Sequence, residues 1–459
     1  MRLSIQEIAV AIGAAVPQAA CEIDHISTDS RDLSGSCLFV ALEGERTDGH
    51  RYIAQALNQG ARFAVAHKQP EGLTLQQQSQ VLLVPDTMQV LLQIAALYRR
   101  KFSLLTVGIT GSVGKTTTKE FVAGVLSKKY RTLKNQGNRN NEIGLPNTIF
   151  ELDSSYEAAV LEMGMDRKGD ISKLTAVVRP DVGIITNIGV AHIEYLKTRQ
   201  GILNAKLEIT EGMQDGAPLI LCADNDLLSS VELPRLRVVR YGIDAENCAV
   251  QAKNLRAGKQ GTAFEVQYPG GSCTVELPTV GRHTVYDALA AFAAGLELGV
   301  PVQDIADALA EYQPTGMRQR MRRWKELLLV EDCYNANPDS MHAALHALQE
   351  LSCKGRKICV FADMLELGAL QEQAHLEIGR AAAQTAQQLY CYGRWAQLYA
   401  QGAEQGGMKP EQIHCFTNAE QLAQTLRQQA QAGDILWFKG SHSMHLEHVL
   451  EQAFPEQDV

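Results

Sequence analysis

The sequence predicts an α/β protein of three domains, the central one built on a mostly parallel sheet. Three observations carry that reading. Short apolar, β-branched runs alternate with helical segments along most of the chain, the pattern of strands buried on both faces. One such run, at 104–110, ends in a Gly-rich turn that opens an amphipathic helix. The length of 459 residues suits about three domains at ~150 residues each.

Residues 1–84 alternate short strands and helices. CLFVAL (37–42) and ARFAVAH (61–67) read as strands flanking the helical HRYIAQALNQG (50–60). LQQQSQ (75–80) is a polar run that reads as an exposed turn before the strand VLLVP. Between 85 and 314, AAVLEMG (158–164), VGIITNIG (182–189) and APLILCADN (217–225) join the run at 104–110 as strands of a buried parallel sheet. The stretch 250–277 instead alternates polar and apolar residues between Gly turns, as a small antiparallel appendage would. From 315 to 459 a third α/β unit has ELLLVEDC, KICVFADM, QLYCYG and DILWFKG as its strands. No internal repeat at solenoid periods is visible.

Composition excludes several function classes. With 45% hydrophobic and 21% charged residues the chain reads as an ordinary soluble globular protein. The balance of 43 basic against 52 acidic residues argues against nucleic acid or an anionic membrane as the main partner. No apolar run reaches ~18 residues, and MRLSIQEIAVAIG lacks the regions of a signal peptide, so no integral membrane association is expected. The ten cysteines (21, 37, 222, 248, 273, 333, 353, 359, 391, 415) form no C-x-x-C pair. They read as reduced, mostly buried thiols of a cytoplasmic protein.

Chemistry concentrates first at 104–126, where strand, Gly-rich turn, Lys115-Thr116 and helix follow one another. Glycines let successive backbone N–H groups point at phosphate oxygens, and the helix N-terminus adds partial positive charge. Gly111, Ser112, Val113, Gly114, Lys115, Thr116 and Thr117 are therefore the candidate nucleotide-binding residues. Lys115 would reach the β- and γ-phosphates, and the Thr116 hydroxyl can hold Mg²⁺. Ile109 stands where a standard P-loop has glycine. Two later strand ends carry further candidates, Glu162 closing AAVLEMG and His192 just beyond VGIITNIG. In an open parallel sheet such ends face the ligand crevice. The plainer alternatives are a loop-capping Glu162 and a packed His192 ring.

The cluster NQGNRNNEIGLP (135–146) offers Asn138, Asn140 and Asn141 either as substrate contacts or as members of a surface turn. Lys206, in NAKLEI, would on its own be a solvated lysine. EDCYNANPDSM (331–341) lies at a strand end and opens a helix expected to be capped near Asp339 or Ser340.

GITGSVGKTTTKE, GNRNNEIGLP, LEMG, the His of VAHIE, AKLEI, GMR (316–318), DCYNANPDSM, DMLELG (363–368) and KGSHS (439–443) stand in the order seen in the Mur ligases. Over essentially its whole length the chain resembles that family of ATP-dependent amide-bond ligases of peptidoglycan synthesis. YNANP at 334–338 is similar to the branch that adds D-alanyl-D-alanine to UDP-N-acetylmuramoyl-tripeptide. Branches making earlier additions, and folylpolyglutamate synthase, have a His-containing variant there.

The resemblance implies a UDP-substrate domain at 1–84, a central ATP-binding domain at 85–314, and a Rossmann-like domain at 315–459. The last would close over ATP and bind the incoming dipeptide. STDSR (27–31) with GERTDGH (44–50) resembles the UDP-sugar segment, so Ser27, Thr28, Ser30 and Arg31 are expected to contact that substrate. Glu162, His192 and a carbamoylated Lys206 are expected to hold Mg²⁺ with Thr116. Arg318 is expected near the phosphates, and Asp332 and Asn335 toward the nucleoside. A monomer is expected.

The chain departs from the family pattern twice. GRHTVYDALAA has Thr284 and Asp287 where two asparagines usually lie near adenine, and an ionised Asp can accept but not donate. His442 of KGSHS stands where Arg is commoner. Two rivals remain open at this point. One is another amino-acid-adding ligase of the same family, and the other a P-loop ATPase switch. Against the switch, no Walker B strand with a terminal Asp and no N-K-x-D is found.

Overall fold

The computed structural model describes residues 1–44, 47–257, 261–314 and 316–456. Glu45 and Arg46 of GERTDGH, Thr315 at the expected start of the third domain, and 457–459 lie outside the described residues. The chain forms two compact units, Met1–Thr110 with Lys129–Ile184 and Leu207–Leu219, and Gly111–Lys128 with Ile185–Lys206 and Ile220–Val459.

In the first unit, the strands His25–Ser27, Cys37–Val40, Phe63–Ala66 and Val81–Leu83 pair in chain order, all parallel. Phe39, Ala64, Ile53 and Ala56 fill the core beneath them. LQQQSQ departs from the expected turn: Leu75–Gln78 is one helical turn. Thr74 Oγ1 accepts from the N–H of Gln77 at 3.2 Å, and Gln77 Oε1 accepts from the N–H of Thr74 at 3.0 Å. That reciprocal pair satisfies two donors at once and stabilises even a single exposed turn.

The same unit holds the parallel neighbours Thr132–Lys134, Ala158–Glu162 and Leu105–Thr110. All five residues of Ala158–Glu162 are buried, as its continuous apolar run requires. Helix Thr87–Arg99, capped by Asp86, packs against Gly144–Phe150 and Asp170–Val178.

In the second unit, Arg237–Gly242 pairs in parallel with Val250–Ala257 through Tyr241 and Val250. Thr262–Tyr268 and Gly271–Leu277 then add in antiparallel fashion. The strands of 250–277 thus have the expected antiparallel pairing, but they extend a sheet through Val250–Ala257; residues 258–260 lie outside the described residues. Its apolar positions Val250, Ala252, Phe264, Val266, Val275 and Leu277 are buried. Helices Arg282–Glu297 and Val302–Ala310 pack on these strands, and Lys115–Ser127 lies against both helices.

A second sheet of this unit runs in the order Arg320–Trp324, Leu327–Asp332, Ile435–Lys439, Lys357–Ala362, Gln388–Tyr392, Ile413–Phe416. Only the edge strand Arg320–Trp324 is antiparallel. Parallel strands bring Asp332, Lys439 and Asp363 to one end of the sheet, where α/β folds place ligands.

Helix Pro338–Glu350 is capped at Asn337, two residues before Asp339 and three before Ser340. Asn337 Oδ1 accepts from the N–H of Ser340 at 2.9 Å, and Ser340 Oγ accepts from the N–H of Asn337 at 3.0 Å. Pro338, with φ preset and no N–H to lose, suits the first helical position. None of the ten cysteines is in a disulfide; five are buried and five half-buried. Among the described residues, no helix is long and apolar enough to cross a membrane.

Candidate functional site

In the second unit the turn 111–114 is braced by 186–189. Asn187 Oδ1 accepts from the N–H groups of Ser112 at 3.1 Å and Val113 at 2.9 Å. Thr186 Oγ1 donates to Val113 O at 2.6 Å, and Ser112 Oγ accepts from the N–H of Gly189 at 2.9 Å. Gly111 is needed because a Cβ there would collide with Thr186 Oγ1. Gly114 has φ +82° and faces the Asp287 carboxylate, so a side chain would be strained and obstructed.

Helix Lys115–Ser127 starts at Gly114 with no side-chain cap. Lys115 Nζ donates to Gly111 O at 2.8 Å and lies 3.4 Å from Ser112 O. A cation beside an uncapped helix N-terminus is an arrangement that binds phosphate. Thr116 and Thr117 occupy the first turn, both half-buried.

Lys206, on helix Arg199–Leu207, is 1% exposed, which overturns the solvated-lysine alternative. Burial, then the charge of Lys115, pushes its amine well below the ordinary lysine range. His192 is half-buried with φ +62°, at the start of the short helix Ile193–Leu196. Two residues before it, the Val190 N–H donates to Asp339 Oδ2 at 3.0 Å.

Asp287 is buried, and its carboxyl is raised well above the carboxylate range by that burial. Thr118 Oγ1 donates to its Oδ1 at 3.1 Å. The protonated acid has a donor that an ionised Asp lacks. The same helix holds Thr284, whose hydroxyl donates to Gly281 O at 2.9 Å.

At the end of the six-stranded sheet, Lys439 Nζ meets Asp332 Oδ2 at 2.7 Å and donates to Asn335 O at 3.1 Å. Asn335 is exposed, and its Oδ1 accepts from the N–H of Ala336 at 2.8 Å. The Arg318 guanidinium stacks 3.9 Å from the Tyr334 ring centroid, and Tyr334 in turn lies 5.6 Å from the ring of His442. Asp363 accepts from the N–H groups of Arg394 at 2.8 Å and Trp395 at 3.0 Å, so it is a brace. His283 is pushed down to about 4, mainly by burial.

In the first unit, Glu162 is 2% exposed and its Oε1 accepts from Asn140 Nδ2 at 2.8 Å. Asn135 pairs with the Glu162 backbone in both directions, at 2.9 and 3.0 Å, which ties the Asn-rich loop to the strand end. Asn141 Oδ1 accepts from the N–H groups of Ile143 and Gly144, a turn role, and Asn138 is exposed. Ser27 Oγ accepts from the N–H of Asp29 at 3.0 Å, and Thr28 and Ser30 are half-buried nearby. Arg31 is exposed and bidentate to Asp29, whose carboxyl it holds down at about 2.

Sequence reasoning missed Thr186, Asn187 and Asp339 as braces. The polar pair closing the apolar strand VGII was a usable signal for the first two.

Family models match three segments: the Mur ligase family catalytic domain at 22–99, the Mur ligase middle domain at 109–295, and the Mur ligase glutamate ligase domain at 317–442. The UDP-N-acetylmuramoyl-tripeptide–D-alanyl-D-alanine ligase of Bacillus subtilis (strain 168) is 36% identical over 442 residues, spanning 95% of this chain and 94% of that protein. The protein of that name from Escherichia coli (strain K12) is 37% identical over 363 residues, 78% of this chain and 79% of its own. Among solved structures, MurF from Acinetobacter baumannii matches with a TM-score of 0.90 at 29% identity, covering 99% of both chains. MurF ligase from Thermotoga maritima in complex with ADP matches at 0.83 and 29%, covering 94% of this chain and 96% of that one. With three segments matched in order and a relative aligned along nearly its full length, the chain belongs to the Mur ligase family.

Proposed function

We propose that the chain is an ATP-dependent amide-bond ligase joining D-alanyl-D-alanine to UDP-N-acetylmuramoyl-tripeptide in peptidoglycan synthesis. The observation that carries this reading is its 36% identity, over 95% of the chain, to the Bacillus subtilis enzyme of that name. ATP as phosphoryl donor is supported by the ADP held in the Thermotoga maritima relative and by the uncapped helix beside Lys115.

The tripeptide's terminal carboxylate attacks the γ-phosphorus, forming an acyl phosphate and releasing ADP. The amine of D-alanyl-D-alanine then attacks the acyl carbon, the C–O bond breaks, inorganic phosphate leaves, and the surplus proton on the nitrogen passes to solvent. Lys115 and the backbone N–H groups of Gly111, Ser112, Val113, Gly114, Thr116 and Thr117 stabilise charge on the transferring phosphoryl group.

Bound Mg²⁺ would neutralise charge shared by the β- and γ-phosphates. Thr116, Glu162, His192 and Lys206 are the groups proposed to hold it. A hydroxyl and a buried carboxylate suit a hard cation, and imidazole suits it less well. Lys206 joins the set as a carbamate: its neutral amine forms an N–C bond to CO₂ and releases one proton, leaving a carboxylate-like anion. An amine buried beside a second lysine is held in the neutral form that this reaction needs.

Arg318, braced on Tyr334, serves the phosphates, and Asp332 and Asn335 the nucleoside. Ser27, Thr28, Ser30 and Arg31 hold the UDP portion, and Asn138, Asn140 and Asn141 contact the substrate. These roles rest on a division into 1–84, 85–314 and 315–459, with the last part closing over ATP and shielding the acyl phosphate from water. The enzyme acts as a cytoplasmic monomer on small-molecule partners, without nucleic acid. A coupled ADP-release assay with UDP-N-acetylmuramoyl-tripeptide tests the reading. Release that rises with D-alanyl-D-alanine supports it. Release that needs no carboxylate substrate favours an ATPase switch, and release driven by single amino acids favours another ligase of the family.

A further inference from the structure

Residues 442–448, HSMHLEH, place four titratable side chains on one turn of the second unit. Three of them, His445, Glu447 and His448, each offer one ligand atom, and these atoms lie within 4.8 Å of one another. The cause is local backbone geometry. His445 has φ +51° and ψ +40°, at the junction between the turn His442–Met444 and helix Leu446–Ala453. That bend returns its ring to the side of His448, where the two rings stack with centroids 5.6 Å apart and planes 22° from parallel.

Glu447 completes the group. Its Oε1 stands 3.3 Å from His445 Nδ1. Its Oε2 is sealed from solvent and has no hydrogen-bond partner among the described residues. A buried carboxylate oxygen without a donor is uncommon in folded proteins and is ordinarily answered by water or a cation. Both histidines are exposed, so an ion can reach them and their rings can turn to close the remaining distance.

We propose that His445, Glu447 and His448 form a binding site for a borderline divalent metal ion of the Zn²⁺, Ni²⁺ or Co²⁺ class. Two imidazole nitrogens and one carboxylate oxygen match that class, whereas Mg²⁺ and Ca²⁺ prefer oxygen alone. Three protein ligands leave a fourth position for water. This ion is separate from the Mg²⁺ of ligation, and none of the three residues has a part in the chemistry proposed above.

The test uses the full chain, stripped with chelator, and Zn²⁺ or Co²⁺ alone in excess Mg²⁺. Calorimetry should find one more Zn²⁺ bound by the wild type than by His445→Ala/His448→Ala. Co²⁺ should give the intense visible bands of a four-coordinate ion in the wild type and lose them in that variant. Glu447→Gln keeps the side-chain shape and both imidazoles. It should weaken binding by at least the roughly tenfold that follows loss of even an outer partner of a metal ligand. Melting of the metal-free proteins checks that the variants are folded. Equal Zn²⁺ stoichiometry in wild type and double variant, or a Co²⁺ spectrum common to both, overturns the proposal.

Discussion

Asp339 Oδ2 accepts a hydrogen bond from the N–H of Val190 at 3.0 Å. The first turn of helix Pro338–Glu350 is thereby fixed to the loop that leads into His192. The preceding residue, Gly189, donates to Ser112 Oγ at 2.9 Å, and a Cβ on it would strike the Asp339 carboxylate. One loop thus ties the phosphate-binding turn to YNANPDS.

Asp339→Ala leaves the Val190 N–H without its acceptor, a loss of about 1.4 kcal/mol for a bond to a charged group, or about tenfold. The expected result is a fall of that size in kcat/KM for ATP. Asp339→Asn retains an acceptor oxygen and should stay near the wild type. Steady-state kinetics on both variants check this, and an equal loss in the two would contradict it.

Arg318 depends on Tyr334 for its placement, since the guanidinium lies over the ring face at 3.9 Å. Arg318→Ala and Tyr334→Ala should both raise the KM for ATP, the second by about 1 kcal/mol of lost cation–π contact, or about fivefold. Tyr334→Phe keeps the ring and should change little. Binding of the UDP-substrate should be unaffected in all three. Equal weakening of ATP and UDP-substrate would refute this division of labour.

Much of this was legible in the chain because it is local. The strand, turn and helix at 104–126 are spelled out by a β-branched run, glycines and Lys115-Thr116, and the structure has them at Leu105–Thr110 and Lys115–Ser127. Contacts across long sequence separations were not legible. Val250–Ala257 pairs antiparallel with Thr262–Tyr268 as its alternation implies, but its parallel join to the nearby Arg237–Gly242 leaves no mark in that alternation. The bond from Val190 to Asp339 spans 149 positions and leaves no periodic trace. Asn337 was a missed local signal, because Asn before Pro at a helix start marks the cap by itself.

Burial raises the carboxyl of Asp287 well above the ordinary carboxylate range in the folded chain. In the unfolded chain it ionises near about 3.9. Its contribution to stability is therefore full below that pH and declines as pH rises toward the higher folded value. Asparagine does not titrate and still accepts from Thr118. The melting temperature of Asp287→Asn, relative to wild type, should rise as pH increases from about 4 upward. A difference that is constant across that range would rule out a neutral Asp287.

Lys206, only 1% exposed, is not a surface lysine. Lys206→Ala should lose about 10² to 10³ in kcat, the scale of removing one charge-stabilising group. Short carboxylic acids that fill the vacated space should restore part of it. Wild-type turnover in Lys206→Ala would exclude the carbamate.

The central claim is that ligation passes through an acyl phosphate, and an isotope label follows the bond that defines it. UDP-N-acetylmuramoyl-tripeptide carrying ¹⁸O in its terminal carboxylate is turned over with ATP and D-alanyl-D-alanine, and the phosphate is examined by mass spectrometry. The carboxylate oxygen that attacks the γ-phosphorus stays with phosphorus when the amine displaces it, so the account predicts one ¹⁸O in each phosphate released. Phosphate free of ¹⁸O, with ligation proceeding, would contradict it.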